Sequence, residues 1–206
     1  MIIYLREMSS ATNQSPTSED SKPTKKIQKK IIVIGEGGVG KTTLLHRSVS
    51  NIFVDSTKKT IGTDFFMKKI EKIDEKNINQ IILLLWDFAG QERFRFILKD
   101  YIKGAKGVIL CFDLTRASTL QKLYDWIDLL KEGNAFGNPD IKFFLVGTKA
   151  DLIANTPASI TPDQIDIFRK EFNIDLYFQT SALDSSGVSD LFNQVASSMI
   201  ELENKE

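Results

Sequence analysis

The stretch Gly35–Thr42, with the sequence GEGGVGKT, decides the fold of this 206-residue chain. It matches the pattern G-x-x-x-x-G-K-[ST] of a phosphate-binding loop. The residues before it, KIIVIG, form a short β-branched run typical of a buried parallel strand, and the segment Lys41–Ser50 after it predicts a helix. Because strand, glycine-rich turn and helix are the context that the pattern requires, we predict that this loop binds phosphate.

The glycines of this loop let its backbone wrap closely around phosphate groups, so that its N–H groups and the helix N-terminus point at the anion. We expect Lys41 to reach the terminal phosphates and the Thr42 hydroxyl to ligate Mg²⁺. The predicted phosphate-binding residues are Gly35, Glu36, Gly37, Gly38, Val39, Gly40, Lys41, Thr42 and Thr43.

A second motif, WDFAGQERF, lies at the end of another predicted strand. Its Asp87 is a strand-end carboxylate suited to hold Mg²⁺ through water. Gly90 can offer its N–H to a γ-phosphate because no side chain blocks the approach, and Gln91 can orient an attacking water. Thr60, in the polar loop before this motif, can complete the metal shell with its hydroxyl. The predicted metal site is Thr42, Thr60 and Asp87 (through water), and the predicted catalytic group is Lys41, Thr60, Gly90 and Gln91.

The rest of the chain alternates strand and helix patterns. The segment Thr63–Ile73 alternates loosely and joins QIILLLWD through a polar turn, which predicts a hairpin. Three more strand patterns, GVILCFDL, IKFFLVG and DLYFQT, are separated by helix patterns near 118–132 and 161–172, and a last amphipathic helix follows. Six strands and five helices in this order predict an α/β P-loop NTPase fold: a mostly parallel six-stranded sheet, with helices on both faces and one antiparallel hairpin strand.

The composition is that of a soluble globular protein, with 42% apolar and 26% charged residues. Lys plus Arg and Asp plus Glu both number 27, so net charge gives no reason to expect nucleic acid as a partner. The single cysteine, Cys111, lies in an apolar run and is expected to be a buried, reduced thiol. No apolar stretch is long enough to span a bilayer, so we expect a cytoplasmic location and leave peripheral membrane contact open.

The chain ends differ from the middle in composition. Residues 9–26 are polar and rich in Ser, Thr, Pro and Lys, so we expect 1–26 to be a disordered extension before a domain over 27–202. Translation from Met8 instead of Met1 is left open. Residues 203–206 form a short tail without cysteine, so no prenyl anchor is expected. Five lysines serve either as solubilising charge or as a weak contact with an acidic membrane surface: Lys22, Lys25, Lys26, Lys29 and Lys30.

In their order, the motifs GEGGVGKT, TIGTDF, WDFAGQERFR, TKAD and TSA make the chain resemble the Ras superfamily of small GTPases, and within it the Rab branch, over residues 27–202. The resemblance implies a Mg²⁺-dependent switch between GTP and GDP, with effector, exchange-factor and GTPase-activating proteins as partners. In such proteins Thr60 and Gly90 hold the two flanking loops while the γ-phosphate is present. Intrinsic hydrolysis is slow, and a partner's arginine adds about 10³–10⁵ in rate.

The loop GTKAD implies guanine recognition. Asp151 can accept hydrogen bonds from guanine N1–H and the 2-amino group, which adenine lacks, and the stem of Lys149 can cover the purine ring. The resemblance adds three residues to the base site, namely Phe53, Ser181 and Ala182. Thr148 stands where the family usually has asparagine, and this replacement is expected to give up an amide that bonds the base and braces the phosphate-binding loop.

Three aromatic residues match the positions at which Rab proteins form a hydrophobic patch for effectors: Phe65, Trp86 and Tyr101. Core packing is the alternative for each of them. Phe88 replaces a threonine of the second motif and is expected to pack against the neighbouring switch.

Three functions are consistent with these motifs. The leading hypothesis is a GTP-hydrolysing switch, because Gly37, Thr60 and Gln91 all match the hydrolysis-competent pattern. The second is a nucleotide-locked interaction module that binds GTP or GDP with negligible turnover. The third is a P-loop kinase or ATPase, which Asp151 disfavours because this carboxylate suits guanine.

Overall fold

The computed structural model of the protein describes residues 23–54, 60–73, 78–92, 98–156 and 160–205, except for the side chain of residue 155. The segment 1–22, which contains Lys22, and Glu206 therefore lie outside the described residues. The polar turn of the predicted hairpin spans residues 74–79, of which 74–77 also lie outside the described residues, whereas Ile78 and Asn79 belong to a strand.

A mixed sheet forms the centre of the described part of the chain and confirms the predicted fold class. Its six strands have the order β2-β3-β1-β4-β5-β6, and all pairs are parallel except the antiparallel pair of β2 and β3. The strands are β1 Thr24–Ile34, β2 Thr63–Ile73, β3 Ile78–Phe88, β4 Ala105–Asp113, β5 Lys142–Thr148 and β6 Leu176–Gln179.

Helices connect the strands and cover both faces of the sheet. The helices are α1 Lys41–Ser50, α2 Leu98–Tyr101, α3 Ala117–Gln121, α4 Leu123–Glu132, α5 Pro162–Glu171 and α6 Val188–Glu203, with a 3₁₀ helix at Ala150–Asn155. The pattern near 118–132 becomes two helices, α3 and α4, that meet at Lys122. At the start of α5, Thr161 and Gln164 form a capping box ahead of Pro162, which satisfies N–H groups at the helix start.

Two apolar layers hold the helices against the sheet. On one face, α1 and α6 pack on side chains such as Ile31 and Leu83, and the apolar stripe of α6 is buried as its spacing predicts. On the other face, α2 to α5 surround Trp126 and Phe112, which are fully buried. Cys111 is buried in the first layer, and burial raises the pKa of its thiol to about 12. Burial on both faces explains why the parallel strands read as continuous apolar runs.

The first strand begins earlier than the sequence predicts. β1 starts at Thr24, where Thr24 pairs with Ile78, so the boundary of the extension at residue 26 is wrong for residues 24–26. The polar composition of Thr24, Lys25 and Lys26 hides the strand, because β3 supplies the hydrogen-bonding partner that local composition does not reveal.

The strand also separates the lysines that the sequence groups together. Lys25 and Lys29 point toward α6, where the Lys29 ammonium lies 2.8 Å from a carboxylate oxygen of Glu203 and is buried. Lys30 lies on the opposite face, with its ammonium 3.7 Å from the centre of the Trp86 ring. The membrane contact that the sequence left open as an alternative does not suit Lys29, whose ammonium is buried against α6, and it stays open for Lys30. Within the described residues, no helix has the length and apolar content needed to cross a membrane.

Candidate nucleotide site

A cavity of about 710 Å³ opens at the carboxyl ends of the parallel strands, the edge where ligands bind in open α/β sheets. The loop after β1 lines one end of the cavity, and the loops after β5 and β6 line the other. The cavity brings together most residues that the sequence predicts for phosphate and base binding, namely Glu36, Gly37, Gly38, Val39, Gly40, Lys41, Thr42, Thr43, Phe53, Thr60, Gly90, Gln91, Thr148, Lys149, Asp151 and Ala182.

The phosphate-binding loop is closed around the Lys41 side chain. The buried Lys41 ammonium donates to the carbonyl oxygens of Gly35 at 2.8 Å and Glu36 at 3.0 Å. Gly35 itself does not line the cavity, and its carbonyl oxygen holds this lysine. Burial lowers the pKa of Lys41, although the nearby carboxylate of Asp87 acts in the opposite direction and raises it. A lysine held by backbone carbonyls at the loop mouth is placed to meet terminal phosphates as a point charge.

Two glycines of the site differ in the space around them. A Cβ at Gly90 would overlap the backbone of Glu36 and Gly37, so the second motif lies directly against the phosphate-binding loop. At Gly37, by contrast, no atom of the described residues would lie within 4 Å of an added Cβ. Only a residue without a side chain allows the contact at Gly90, whereas a side chain at Gly37 would extend into open space.

Three oxygen-bearing side chains meet at one point beside the loop. The Thr42 hydroxyl donates to Oδ2 of Asp87, and its oxygen lies 2.9 Å from that of the Thr60 hydroxyl. The other carboxylate oxygen of Asp87, Oδ1, is buried and has no hydrogen-bond partner among the described residues. Burial raises the pKa of Asp87 to about 6, although Lys41 opposes this rise. An unpaired buried carboxylate oxygen beside two hydroxyls fits a hard cation such as Mg²⁺.

The base end of the cavity is built by the loops after β5 and β6. Lys149 and Asp151 line it, and Phe53, from the loop after α1, closes it with a ring that is 40% exposed. Ala182 lines the cavity, but Ser181 does not: Ser181 is fully buried, and its N–H donates to the Ser186 carbonyl oxygen at 3.0 Å. The prediction that Ser181 meets the base is therefore wrong, because its N–H is used inside the loop.

Thr148 keeps a contact that the sequence led us to consider lost. Its buried hydroxyl lies 2.6 Å from the carbonyl oxygen of Val39, in the phosphate-binding loop, and 2.9 Å from that of Phe112. The hydroxyl donates its one hydrogen to these carbonyls, so Thr148 braces the loop without an amide. The expectation that the replacement gives up this brace is wrong.

Comparison with known proteins places the chain in a family. The Ras family model matches residues 30–201. The chain belongs to the Ras family. Among curated relatives, the Ras-related protein Rab-1C of Dictyostelium discoideum is 36% identical over 178 residues, which cover 86% of this chain and 84% of the relative.

Two more relatives place this Ras-family chain near the Rab proteins. The Ras-related protein RABA1c of Arabidopsis thaliana is 40% identical, with coverage of 81% of this chain and 72% of the relative. The Ras-related protein Rab-13 of Mesocricetus auratus is 36% identical, with coverage of 81% and 77%. The chain is therefore a Rab-like small GTPase, an enzyme that binds guanine nucleotide and hydrolyses GTP.

In this Rab-like chain the three aromatic residues form a continuous surface beside the site. The ring centres of Phe65 and Trp86 lie 4.7 Å apart, and those of Trp86 and Tyr101 lie 5.4 Å apart, both edge to face. Phe65 is 57% exposed and Tyr101 is 38% exposed, so the alternative interpretation that they pack in the core is wrong for these two residues. Phe88 is buried, and its ring centre lies 5.8 Å from that of Tyr101, edge to face. Its expected packing against the second switch involves residues 93–97, which lie outside the described residues.

Three residues of the site were missed by sequence reasoning. Arg47 of α1 donates to the carbonyl oxygens of Ala182 at 2.6 Å and Leu183 at 3.0 Å, and it thereby holds the loop after β6. Asp113, at the end of β4, and Arg116 form an ion pair next to Lys149. The run CFDLTR places a carboxylate at a strand end, as WDFAGQ does, and this signal could have identified Asp113.

Proposed function

We propose that this Rab-like GTPase hydrolyses GTP at the cavity through Lys41, Thr60, Gly90 and Gln91, with Mg²⁺ held by Thr42, Thr60 and, through water, Asp87. The observation that carries the proposal is the meeting of Thr42, Thr60 and the unpaired carboxylate oxygen of Asp87 beside the phosphate-binding loop. Bound Mg²⁺ would neutralise the phosphate charge that develops during transfer.

The chain's own groups supply the remaining steps. The Lys41 ammonium has three hydrogens, so it can donate to the terminal phosphates while the carbonyls of Gly35 and Glu36 hold it in place. Gly90 directs its N–H toward the same phosphates, because its backbone lies against the loop at Gly37. Gln91 lines the cavity next to Gly90 and orients the attacking water.

Guanine selectivity is assigned to the carboxylate of Asp151. Asp151 lines the base end of the cavity together with Lys149 and Phe53, which cover the two faces of the purine. Adenine would leave the carboxylate without the two donors that guanine provides, and such an unpaired group costs affinity.

The switch is read at the aromatic surface of Phe65, Trp86 and Tyr101. This surface lies between the loop that carries Thr60 and the loop that carries Gln91, and both loops contact the nucleotide cavity. Loss of the γ-phosphate removes the contacts that hold the two loops, so effector proteins that pack on the aromatic surface distinguish GTP from GDP.

The test identifies the nucleotide and follows its turnover. The protein is purified without added nucleotide and denatured, and the released nucleotide is identified by chromatography; GDP or GTP is expected, and an adenine nucleotide would contradict the guanine assignment. Single-turnover assays then compare the native chain with Gln91→Leu, which is expected to bind GTP but to lose activator-stimulated hydrolysis. GTP that persists unhydrolysed in the native chain for days with Mg²⁺ would favour the nucleotide-locked alternative.

A further inference from the structure

The carboxylate of Asp113 lies between the two ends of the nucleotide cavity. Asp113 is fully buried at the end of β4, which pairs with β1 on one side and β5 on the other. Its Oδ2 lies 2.7 Å from the Lys149 ammonium and 2.9 Å from Nε of Arg116. Its Oδ1 accepts from the N–H and the hydroxyl of Thr115, at 2.9 Å and 2.6 Å. One buried carboxylate therefore gathers two cations from two different loops.

These partners keep the carboxylate charged. Burial by itself would raise the pKa of Asp113, but hydrogen bonds from Lys149, Thr115 and Arg116 outweigh it and lower the pKa below its usual value. Removal of one of the two cations is unfavourable, because less of the charge of this buried carboxylate is then compensated.

Arg116 extends this contact to the phosphate-binding loop. While its Nε faces Asp113, its Nη2 donates to the carbonyl oxygen of Gly37 at 3.4 Å. The same nitrogen would lie 3.8 Å from a Cβ added to Gly38. Two different nitrogens of one planar guanidinium thus join the carboxylate to the middle of the loop. Arg116 does not line the cavity, so it supports the loop from outside.

Lys149 extends the contact to the base end. Its backbone has φ 60°, a left-handed conformation that costs a residue with a side chain on the order of 1 kcal/mol. The ion pair with Asp113 opposes this cost and fixes the direction of the Lys149 stem, which lines the cavity. Thr148, the preceding residue, makes a separate brace to Val39 in the phosphate-binding loop.

We propose that Asp113 and Arg116 are positioning residues that couple the base-binding loop to the phosphate-binding loop and thereby slow the release of bound guanine nucleotide. The proposal rests on the proposed function, since it places a guanine nucleotide across both loops. Release requires the contacts at both ends to open, and the pair makes the opening of one loop depend on the other. A simpler role, in which Arg116 only neutralises the buried carboxylate, makes a different prediction for lysine at position 116.

The experiment measures the release of GDP, in the presence of Mg²⁺ and excess unlabelled nucleotide, from the native chain and four variants. D113N and R116Q each break the bridge and are expected to release GDP about fivefold to tenfold faster, which lies within the range of coupling between contacting charged residues. R116K keeps a positive charge, but lysine has a single nitrogen and cannot donate to Asp113 and to the Gly37 carbonyl oxygen from two separate nitrogens, as arginine does. R116K is therefore expected to release GDP about as fast as R116Q. K122Q removes a surface lysine that pairs with Asp125 and is expected to match the native rate.

The double variant D113N/R116Q tests the coupling directly. Because both changes break one bridge, its release rate is expected to equal that of the faster single variant, whereas the product of the two single effects would indicate independent roles and overturn the proposal. A native release rate in R116K would also overturn it, since neutralisation alone would then be sufficient. If D113N and R116Q both release GDP at the native rate, the proposal is also overturned.

A second readout separates this proposal from the proposed function. In thermal unfolding of the nucleotide-stripped protein, R116K is expected to melt closer to the native chain than R116Q, because the lysine still neutralises Asp113. The proposal requires that R116K melts near the native temperature but still releases GDP faster than the native chain. A native melting temperature together with a native release rate in R116K would overturn it. A native chain that binds no GDP would contradict the proposed function and the proposal together, whereas GDP binding with unchanged release in every variant would overturn the proposal alone.

Discussion

The phosphate-binding loop at one end of the cavity is a single contiguous stretch of backbone, whereas the base end is assembled from side chains of separate loops. At the phosphate end, one eight-residue stretch supplies the loop, and Lys41 is held by carbonyls only five and six residues away. At the base end, Thr148 reaches Val39 across 109 residues of sequence, and Arg47 reaches Ala182 across 135. The phosphate end can therefore be recognised as a motif, while the base end depends on how distant segments meet.

This difference predicts which property a substitution at each end of the cavity changes. A change at the phosphate end should affect catalysis or the response to the γ-phosphate, because its groups contact the part of the nucleotide that reacts. A change at the base end should affect which nucleotide binds and how long it stays. Four substitutions test this contrast.

The largest effect is expected from Asp151→Asn, at the base end. The amide offers guanine a donor where guanine also presents donors, so GDP affinity should fall by about 10⁴-fold, the scale on which a site built for hydrogen bonds rejects a mismatched ligand. Xanthosine diphosphate, which presents a carbonyl in place of the 2-amino group, should bind the variant better than GDP does. Calorimetric titration with both nucleotides checks this, and an unchanged preference for GDP would place guanine recognition elsewhere.

The next effect is expected from Gln91→Leu, at the phosphate end. Leucine fills a similar volume but cannot orient water, so activator-stimulated hydrolysis should fall by about 10²–10³-fold, as when one positioned group is removed from a reaction centre. GDP release should stay at the native rate, because Gln91 follows Gly90, which lies against the phosphate-binding loop. Rapid-quench measurement of single-turnover hydrolysis checks the first expectation. Faster GDP release from this variant would contradict the expectation that the phosphate end governs catalysis and the base end governs nucleotide retention.

A smaller effect is expected from Gly90→Ala. The added Cβ overlaps the backbone of Glu36 and Gly37, so the second motif must move away from the loop. This overpacking should weaken GTP binding relative to GDP binding by about tenfold or more, since it costs on the order of 1–3 kcal/mol. If Gly90→Ala lowers the affinities for GTP and GDP equally, Gly90 does not contact the γ-phosphate.

The smallest effect is expected from Thr148→Val. Valine has the shape of threonine but no hydroxyl, so the carbonyl of Val39 loses its donor and GDP release should rise by about threefold to tenfold, as expected for one buried hydrogen bond. Thr148→Ser keeps the hydroxyl and should stay near the native rate. Stopped-flow release of labelled GDP checks both, and a native rate in Thr148→Val would show that the brace does not retain nucleotide.

Recognition from sequence succeeded where the signal is local. The loop residues from Glu36 to Thr42 line the cavity, Asp87 lies near the end of β3, and the apolar stripe of α6 is buried, all as their spacing predicts. Such features are predictable because neighbouring residues set loop geometry and helix periodicity. It failed for Ser181 and for Lys29, whose partners are Ser186 and Glu203. An N–H that is consumed inside a turn, or a lysine that turns toward a distant helix, leaves no mark in the local pattern.

By itself, the sequence determined the phosphate-binding loop, the order of strands and helices, and the residue types that suit Mg²⁺ and guanine. Only the tertiary structure decided that Thr148 still braces the loop at Val39 and that Asp113 joins Arg116 to Lys149. The physical reason is that a motif records backbone geometry over a few residues, whereas a buried hydroxyl or carboxylate acquires its role from the groups that folding brings within 3 Å.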